Sequence, residues 1–206
     1  MNEIKEDKTE EKILEAAEKL FLEKGFALTS TTEIAKVVGV NQAMVHYYFR
    51  KKENLFEAIF EKKLKLLVST FFSISEEDIP FEEKLKKKIE LHFDMLKENR
   101  NIPFLIINEF CTNPDRLKSI KEKVKEFPIA LLKQIEKEIK IEVNEGRLRP
   151  TNPADLLISV ISLNVMLFLA LPIFKQAIEM SDDEIEEFLE HRKQENVRII
   201  LNSLKP

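Results

Sequence analysis

The sequence predicts an all-α fold, and three observations lead there. Only three glycines and eight prolines occur in 206 residues, too few for the many tight turns of a β-fold. Glu, Lys, Leu and Ile, all good or tolerated helix residues, dominate the composition. Apolar residues also recur at helical spacing in runs that end at Gly25, Gly39 or Gly146, where a residue in the left-handed conformation closes a helix.

The elements follow in order. "EEKILEAAEKLFLEKG" puts Ile13, Ala17, Leu20 and Phe21 on one stripe and stops at Gly25. "STTEIAKVVG" is a short second helix, with Ser30 and Glu33 at capping-box spacing. Asn41 caps a third, "QAMVHYYF". Glu53 opens a fourth, carrying Leu55, Phe56, Ile59, Phe60 and Leu64. Beyond "SISEEDIP" come a helix with Phe81, Leu85, Ile89, Phe93 and Leu96, a shorter one from Ile102 to Cys111, and a long one from Pro114 to Val143 bent at Pro128. "NEGRLRPTNPADL" is a turn region, and helices Ala154–Ala177 and Asp182–Leu204 close the chain. The expectation is about nine helices in two domains, residues 1–50 and 51–206, with helix four (about 53–72) as the bridge.

Composition narrows the function. A single cysteine, Cys111, excludes an internal disulfide and a Cys-rich metal site, and with the charged N-terminus "MNEIKEDKTEE" it points to a cytoplasmic protein. The apolar run Leu156–Phe174 approaches membrane-spanning length. Ser159, Ser162 and Asn164 interrupt it, Pro172 sits near its end and no basic cluster flanks it, so it reads as a core or interface helix, with no membrane partner. His46, His92 and His191 lie far apart, none has Glu three residues before it, and Glu187 beside His191 reads as a solvated contact. With no P-loop and no dinucleotide-binding fingerprint, no catalytic residue, metal or cofactor is expected, and the chain is not read as an enzyme.

Charge is distributed unevenly. Residues 1–65 hold twelve acids and twelve bases, so the net charge of −4 comes from the rest of the chain. No acid occurs from Ile34 to Lys52, a run containing Lys36, Arg50, Lys51, Lys52, His46, Tyr47 and Tyr48, as a surface facing phosphate requires. Two short helices flank a glycine turn here. Small Ala35 permits a close crossing, and Ile34, Val38, Val40 and Val45 are apolar where the crossing is buried. This is a helix-turn-helix.

"KILEAAEKLFLEKGF", "TSTTEIAKVVGV", "HYYF" and "KKENLFEAIF" together resemble the DNA-binding domain of TetR-type transcriptional repressors, over about residues 10–60. "NEGRLRPTNPADL" resembles the turn such proteins carry before their last two helices. The resemblance implies an N-terminal three-helix DNA-binding domain and a larger helical bundle for effector binding and dimerisation. It implies a regulator, as a homodimer through its last two helices, bound to a pseudo-palindromic operator and released by a small effector. Gln42, Ala43, Met44, His46 and Tyr47 would contact base edges, and Thr31, Thr32, Tyr48 and Lys52 would contact phosphates, while Val45 and Phe49 belong to the core. Three positions depart from the family's commonest pattern: His46, where Tyr is more usual, Met44, where a small or hydroxyl residue is, and Val38, where Ala is.

In the larger domain the abundance of phenylalanine suggests an apolar effector. His92, Asn108, Cys111 and Asn164, polar residues on apolar runs, are candidate pocket groups, with Phe93 and Phe168 beside them; the competing reading makes them hydrogen-bonded core side chains. The alternative function is a helical small-molecule-binding or interaction module without DNA-binding activity, which acids in the third helix would have favoured.

Overall fold

The computed structural model describes the backbone of residues 3–206 and the side chains of residues 8–206 other than 67, 109, 116, 123 and 124. The described residues form ten α-helices and no strand: α1 (Glu3–Leu28), α2 (Thr31–Val38), α3 (Gln42–Phe49), α4 (Lys52–Glu76), α5 (Phe81–Glu98), α6 (Ile102–Thr112), α7 (Pro114–Val124), α8 (Glu126–Asn144), α9 (Pro153–Ile178) and α10 (Asp182–Ser203). The chain divides into two compact units, residues up to 65 with 104–124, and residues 66–103 with 125–206. The division therefore falls within α4 and not at residue 50, and α7 with most of α6 groups with the first unit.

The first unit is built around α1. Its stripe of Ile13, Ala17, Leu20 and Phe21 is buried, as the spacing predicts. Gly25 breaks the helix at φ 85°, ψ 163°, a conformation closed to residues with a Cβ. Phe26 then folds back, so that Phe21, Phe26 and Phe56 of α4 form a cluster with ring centroids 5.3–6.2 Å apart. Such tilted and edge-on contacts add about 0.5–1.5 kcal/mol per pair beyond area burial. Thr29, buried, donates its hydroxyl to the Leu20 and Gly25 carbonyls.

The second unit packs α5 against α9 and α10, with α8 on α9. One apolar cluster joins Leu85, Ile89, Ile139, Leu148, Leu156, Val160, Val197, Ile200 and Leu204. A second joins Phe93, Leu96, Leu167, Phe168, Leu171, Ile185 and Leu189. The predicted helix from 114 to 143 is two helices, broken at Lys125 rather than bent at Pro128. A proline ring clashes with the carbonyl four residues earlier, here that of Val124, where α7 ends. Pro128 then sits harmlessly in the first turn of α8, where no amide donor is needed.

Capping is divided differently from the expectation. Ser30 accepts from the Glu33 amide at 3.2 Å, but the Glu33 carboxylate pairs with Lys24, so only half a capping box forms there. The complete box is at Ser181 and Glu184, opening α10. Asn152 caps α9, with Pro153 at its first position. By length and composition α9 could cross a membrane, and 28% of its most apolar window is buried. Its buried stripe runs Leu156, Val160, Asn164, Leu167, Phe168 and Leu171, while Ile158, Ile161, Met166 and Ile173 are exposed.

Candidate nucleic-acid interface

The turn between α2 and α3 is held by the backbone. Gly39 adopts φ 78°, ψ 30°, and its amide donates to the carbonyls of Ala35 and Lys36. Val40 N–H donates to the Ala35 carbonyl at 3.0 Å, and the Asn41 side chain accepts from Met44 N–H at 2.9 Å to start α3. Ile34, Ala35, Val45 and Phe49 are buried at the crossing; Val38 and Val40, expected in the same contact, are half-buried. One face of α3 is thereby fixed inward and the other outward.

The outward face carries Gln42, Ala43, His46 and Tyr47, all exposed, with Met44 half-buried at its edge. Gln42 Nε2 donates to Thr31 Oγ1 at 3.0 Å and lies 3.2 Å from His46 Nε2, while His46 Nδ1 lies 2.9 Å from the Arg50 carbonyl. One hydrogen placement satisfies all three contacts: His46 donates through Nδ1 and accepts from Gln42 through Nε2. The Gln42 carbonyl oxygen then remains the outward acceptor. Tyr47 is 70% exposed and stands edge-on to the half-buried Tyr48, ring centroids 5.2 Å apart. Thr31 is half-buried and Thr32 exposed on the first turn of α2.

Between α3 and α4 the chain turns on Arg50, at φ 58°, ψ −49°, with Lys51 N–H donating to the Phe49 carbonyl at 2.6 Å. This is a γ-turn, rare and strained for a residue with a side chain. Asn54 Nδ2 also donates to the Phe49 carbonyl, at 2.8 Å. The turn leaves Arg50 and Lys51 both exposed, within the run from Ile34 to Lys52 that contains no acid.

Lys52 corrects the expectation. Its ammonium donates to the carbonyls of Phe26 and Thr29, each at 2.8 Å, and lies 4.3 Å from the centre of the Phe26 ring. It neutralises the carbonyl-rich end of α1 and joins it to the start of α4. Lys36, Arg50 and Lys51, which the sequence reading passed over as individual contacts, are the exposed cations.

The expected effector residues fall in both units. Asn108 and Cys111 are exposed on α6, in the first unit. His92, Phe93, Asn164 and Phe168 do meet in the second unit, as packed core. The Phe93 and Phe168 rings lie 5.2 Å apart. Asn164 Nδ2 donates to the Ile89 carbonyl at 3.1 Å and lies 3.2 Å from His92 Nδ1, and Asn196 Nδ2 donates to Asn164 Oδ1 at 2.9 Å. Burial pushes the His92 pKa down to about 4, so the ring is neutral at physiological pH. The polar ladder ties α5, α9 and α10 together.

A cavity of about 30 Å³ lies elsewhere in this unit, between α4, α5, α8 and α9, and is lined by a charged pair the sequence reading did not single out. Lys88 Nζ donates to both carboxylate oxygens of Glu138, at 2.7 and 3.0 Å. Burial lowers the Lys88 pKa from its usual value. For Glu138 burial acts upward, but hydrogen bonds from Lys88 and Gln134 outweigh it and hold the carboxyl below the ordinary range.

Residues 13–59 match the family model of bacterial regulatory proteins, tetR family. Among curated relatives, the HTH-type transcriptional regulator YhgD of Bacillus subtilis (strain 168) is 26% identical over 142 residues, covering 68% of this chain and 72% of that protein. The HTH-type transcriptional repressor BepR of Brucella suis biovar 1 (strain 1330) is 30% identical over 141 residues, covering 63% of this chain. The chain spans 66% of BepR, just under two thirds of its length. Among solved structures, that of HlyIIR, a hemolysin II transcriptional regulator, superposes with a TM-score of 0.64 at 26% identity, over 98% of this chain and 99% of that one.

Proposed function

Because the chain belongs to the tetR family and is a DNA-binding transcriptional regulator, we propose that it acts as a repressor, binding a pseudo-palindromic operator as a homodimer in the cytoplasm and leaving it when a small apolar effector binds. The observation that carries this reading is the outward face of α3, acid-free and presenting Gln42, Ala43, His46 and Tyr47 between exposed Lys36, Arg50 and Lys51. In the major groove, Gln42 would pair with adenine through its carbonyl oxygen and one amide hydrogen released from Thr31 or His46. Ala43 and Met44 would touch thymine methyls. Thr31 and Thr32 would hold phosphates together with exposed Arg50 and Lys51, whereas the Tyr48 hydroxyl is buried and the Lys52 ammonium is bonded to carbonyls, so both would have to turn outward to reach one.

Dimerisation is supported by the uncovered side of α9. Ile158, Met166 and Ile173 are each more than 60% exposed, a stripe of large apolar residues that a second copy would cover. Release is supported by α4, one helix whose start bears the Lys52 clamp and whose later residues Phe71 and Ser75 belong to the second unit. An effector that fits the second unit better in one arrangement shifts the population toward it, and a coupling of about 1–3 kcal/mol suffices for release.

The test is a gel-shift titration against an inverted repeat taken from the gene's own promoter, with a scrambled duplex as control and salt varied. Specific binding by a dimer should show a steep fall of log K with log salt. Equal affinity for both duplexes would reject operator recognition.

A further inference from the structure

We propose that the Lys88–Glu138 pair makes the cavity of the second unit selective for a neutral, elongated apolar molecule with a single hydrogen-bond acceptor. The proposal rests on the effector reading above and names the chemistry of that effector.

The pair is buried, with side-chain exposures of 7% and 13%. A buried ion pair is seldom kept for stability, since apolar residues of similar volume usually serve as well or better. Its surroundings are otherwise apolar. Leu85 and Val160 form the floor, and Phe81, Leu131, Ile135 and Leu157, all half-buried, form the wall. A charged pair placed at a cavity between these four helices is therefore best explained by what enters the cavity.

Counting donors shows what that is. An ammonium has three hydrogens, and the Glu138 oxygens engage two of those of Lys88. Glu138 in turn accepts twice from Lys88 and once from Gln134 at 3.0 Å, while Ser75 Oγ donates to the Phe71 carbonyl at 3.0 Å. The carboxylate already holds three donors, and Lys88 keeps one hydrogen that a guest oxygen can accept. A carbonyl, ether or hydroxyl oxygen matches it.

Charge balance excludes the alternatives. Lys88 and Glu138 neutralise each other, so a neutral guest leaves no ion unpaired. A carboxylate guest would take Lys88 from Glu138 and strand one anion in an apolar site; a cationic guest would meet Lys88. The free volume, about 30 Å³, is about that of one water molecule, so the guest must displace the half-buried wall residues. Those residues come from α5, α8 and α9, so entry spreads these helices.

Three ten-carbon probes separate the possibilities by calorimetry on the full chain: 2-decanone, decanoate and decylammonium. Ketone should bind at least about tenfold more tightly than either ion. Single variants would leave a buried charge alone, so the comparison is with Lys88→Met/Glu138→Leu, its fold checked by circular dichroism. This double variant should bind ketone about tenfold more weakly than wild type does. Leu157→Trp, which adds bulk to the cavity lining while keeping the pair, should abolish binding and serves as the test should the double variant not fold. Charged probes binding as tightly as ketone, undiminished ketone binding by the variants, or no probe binding at all would each overturn the proposal. Were ketone to bind as expected without weakening operator binding, this inference would stand and the inducer reading would fail. Were ketone to release DNA equally from wild type and both variants, the reverse would hold.

Discussion

Lys52→Met tests whether the cation opening α4 is a structural clamp or a DNA contact. Methionine keeps most of the aliphatic stem and removes the ammonium. The loss includes two hydrogen bonds of 2.8 Å from a charged donor, to the Phe26 and Thr29 carbonyls, and a cation lying 4.3 Å from the Phe26 ring centre. Charge-assisted bonds contribute about 1.5–3 kcal/mol when fully buried; these are part-buried, so water replaces some of that and about 1 kcal/mol each is a fair figure. The cation–π contact adds about 0.5–1 kcal/mol. The sum is about 2–3 kcal/mol, and at about 2–4 °C per kcal/mol for a chain of this size the melting point should fall by about 4–12 °C. The chain has no tryptophan, and its two tyrosines, Tyr47 and Tyr48, lie in the first unit, so tyrosine emission reports that unit alone. A phosphate contact would behave differently: the salt slope of operator binding would drop by about one and the melting point would hold. An unchanged tyrosine-detected Tm with a lowered slope would refute the clamp.

Gln42→Ala should relax base preference at one operator position by about 1–3 kcal/mol, whereas Lys51→Ala should weaken all sequences alike; binding-site selection on each variant separates the two. Arg50→Gly should release backbone strain of about 1 kcal/mol at φ 58° and raise the tyrosine-detected Tm by about 2–4 °C while weakening DNA binding; a lower Tm would mean the γ-turn is not strained. Ile158→Glu/Met166→Glu should convert dimers to monomers in sedimentation, and dimers that persist would place the interface elsewhere. His92 has a folded pKa of about 4, below the ordinary value of 6.5, so between these values the unfolded chain binds the proton and stability falls as pH falls. The loss should reach about 2 kcal/mol by pH 5 in denaturant titrations and be absent in His92→Gln; parallel pH profiles would remove His92 as the source.

Local rules carried much of the first unit. The stop at Gly25, the turn at Gly39 and the Asn41 cap each depend on a few adjacent residues, and the alternation of buried Val45 and Phe49 with exposed His46 and Tyr47 follows from helical spacing. Where the sequence reading failed, a partner distant in sequence had intervened. The family resemblance places Lys52 on a phosphate at the start of α4, and the sequence gives no sign that its ammonium lies 2.8 Å from a carbonyl 26 residues earlier. Glu33 stood at capping distance from Ser30 but pairs with Lys24 instead.

Polarity and charge misled in opposite ways in the second unit. Asn108 and Cys111 attracted attention as polar residues on an apolar run, but α6 turns them outward, and periodicity in so short and uniformly apolar a helix does not say which face is buried. His92 and Asn164 sit on equally apolar runs and are buried because each meets the other across 72 residues of sequence. Lys88 and Glu138 attracted none, since 70 of 206 residues are charged and a Lys at 88 resembles its neighbours Lys86 and Lys87. What distinguishes Lys88 is its place on the stripe with Leu85, Ile89, His92 and Phe93, all buried on α5. A helical stripe read for charge as well as for apolar residues would have marked it, because a lysine three residues from one core leucine and next to a core isoleucine must either find an anion or lose its charge. Glu138, next to buried Ile139 on α8, answers that requirement, and the pairing of the two could be known only once α5 and α8 were placed side by side.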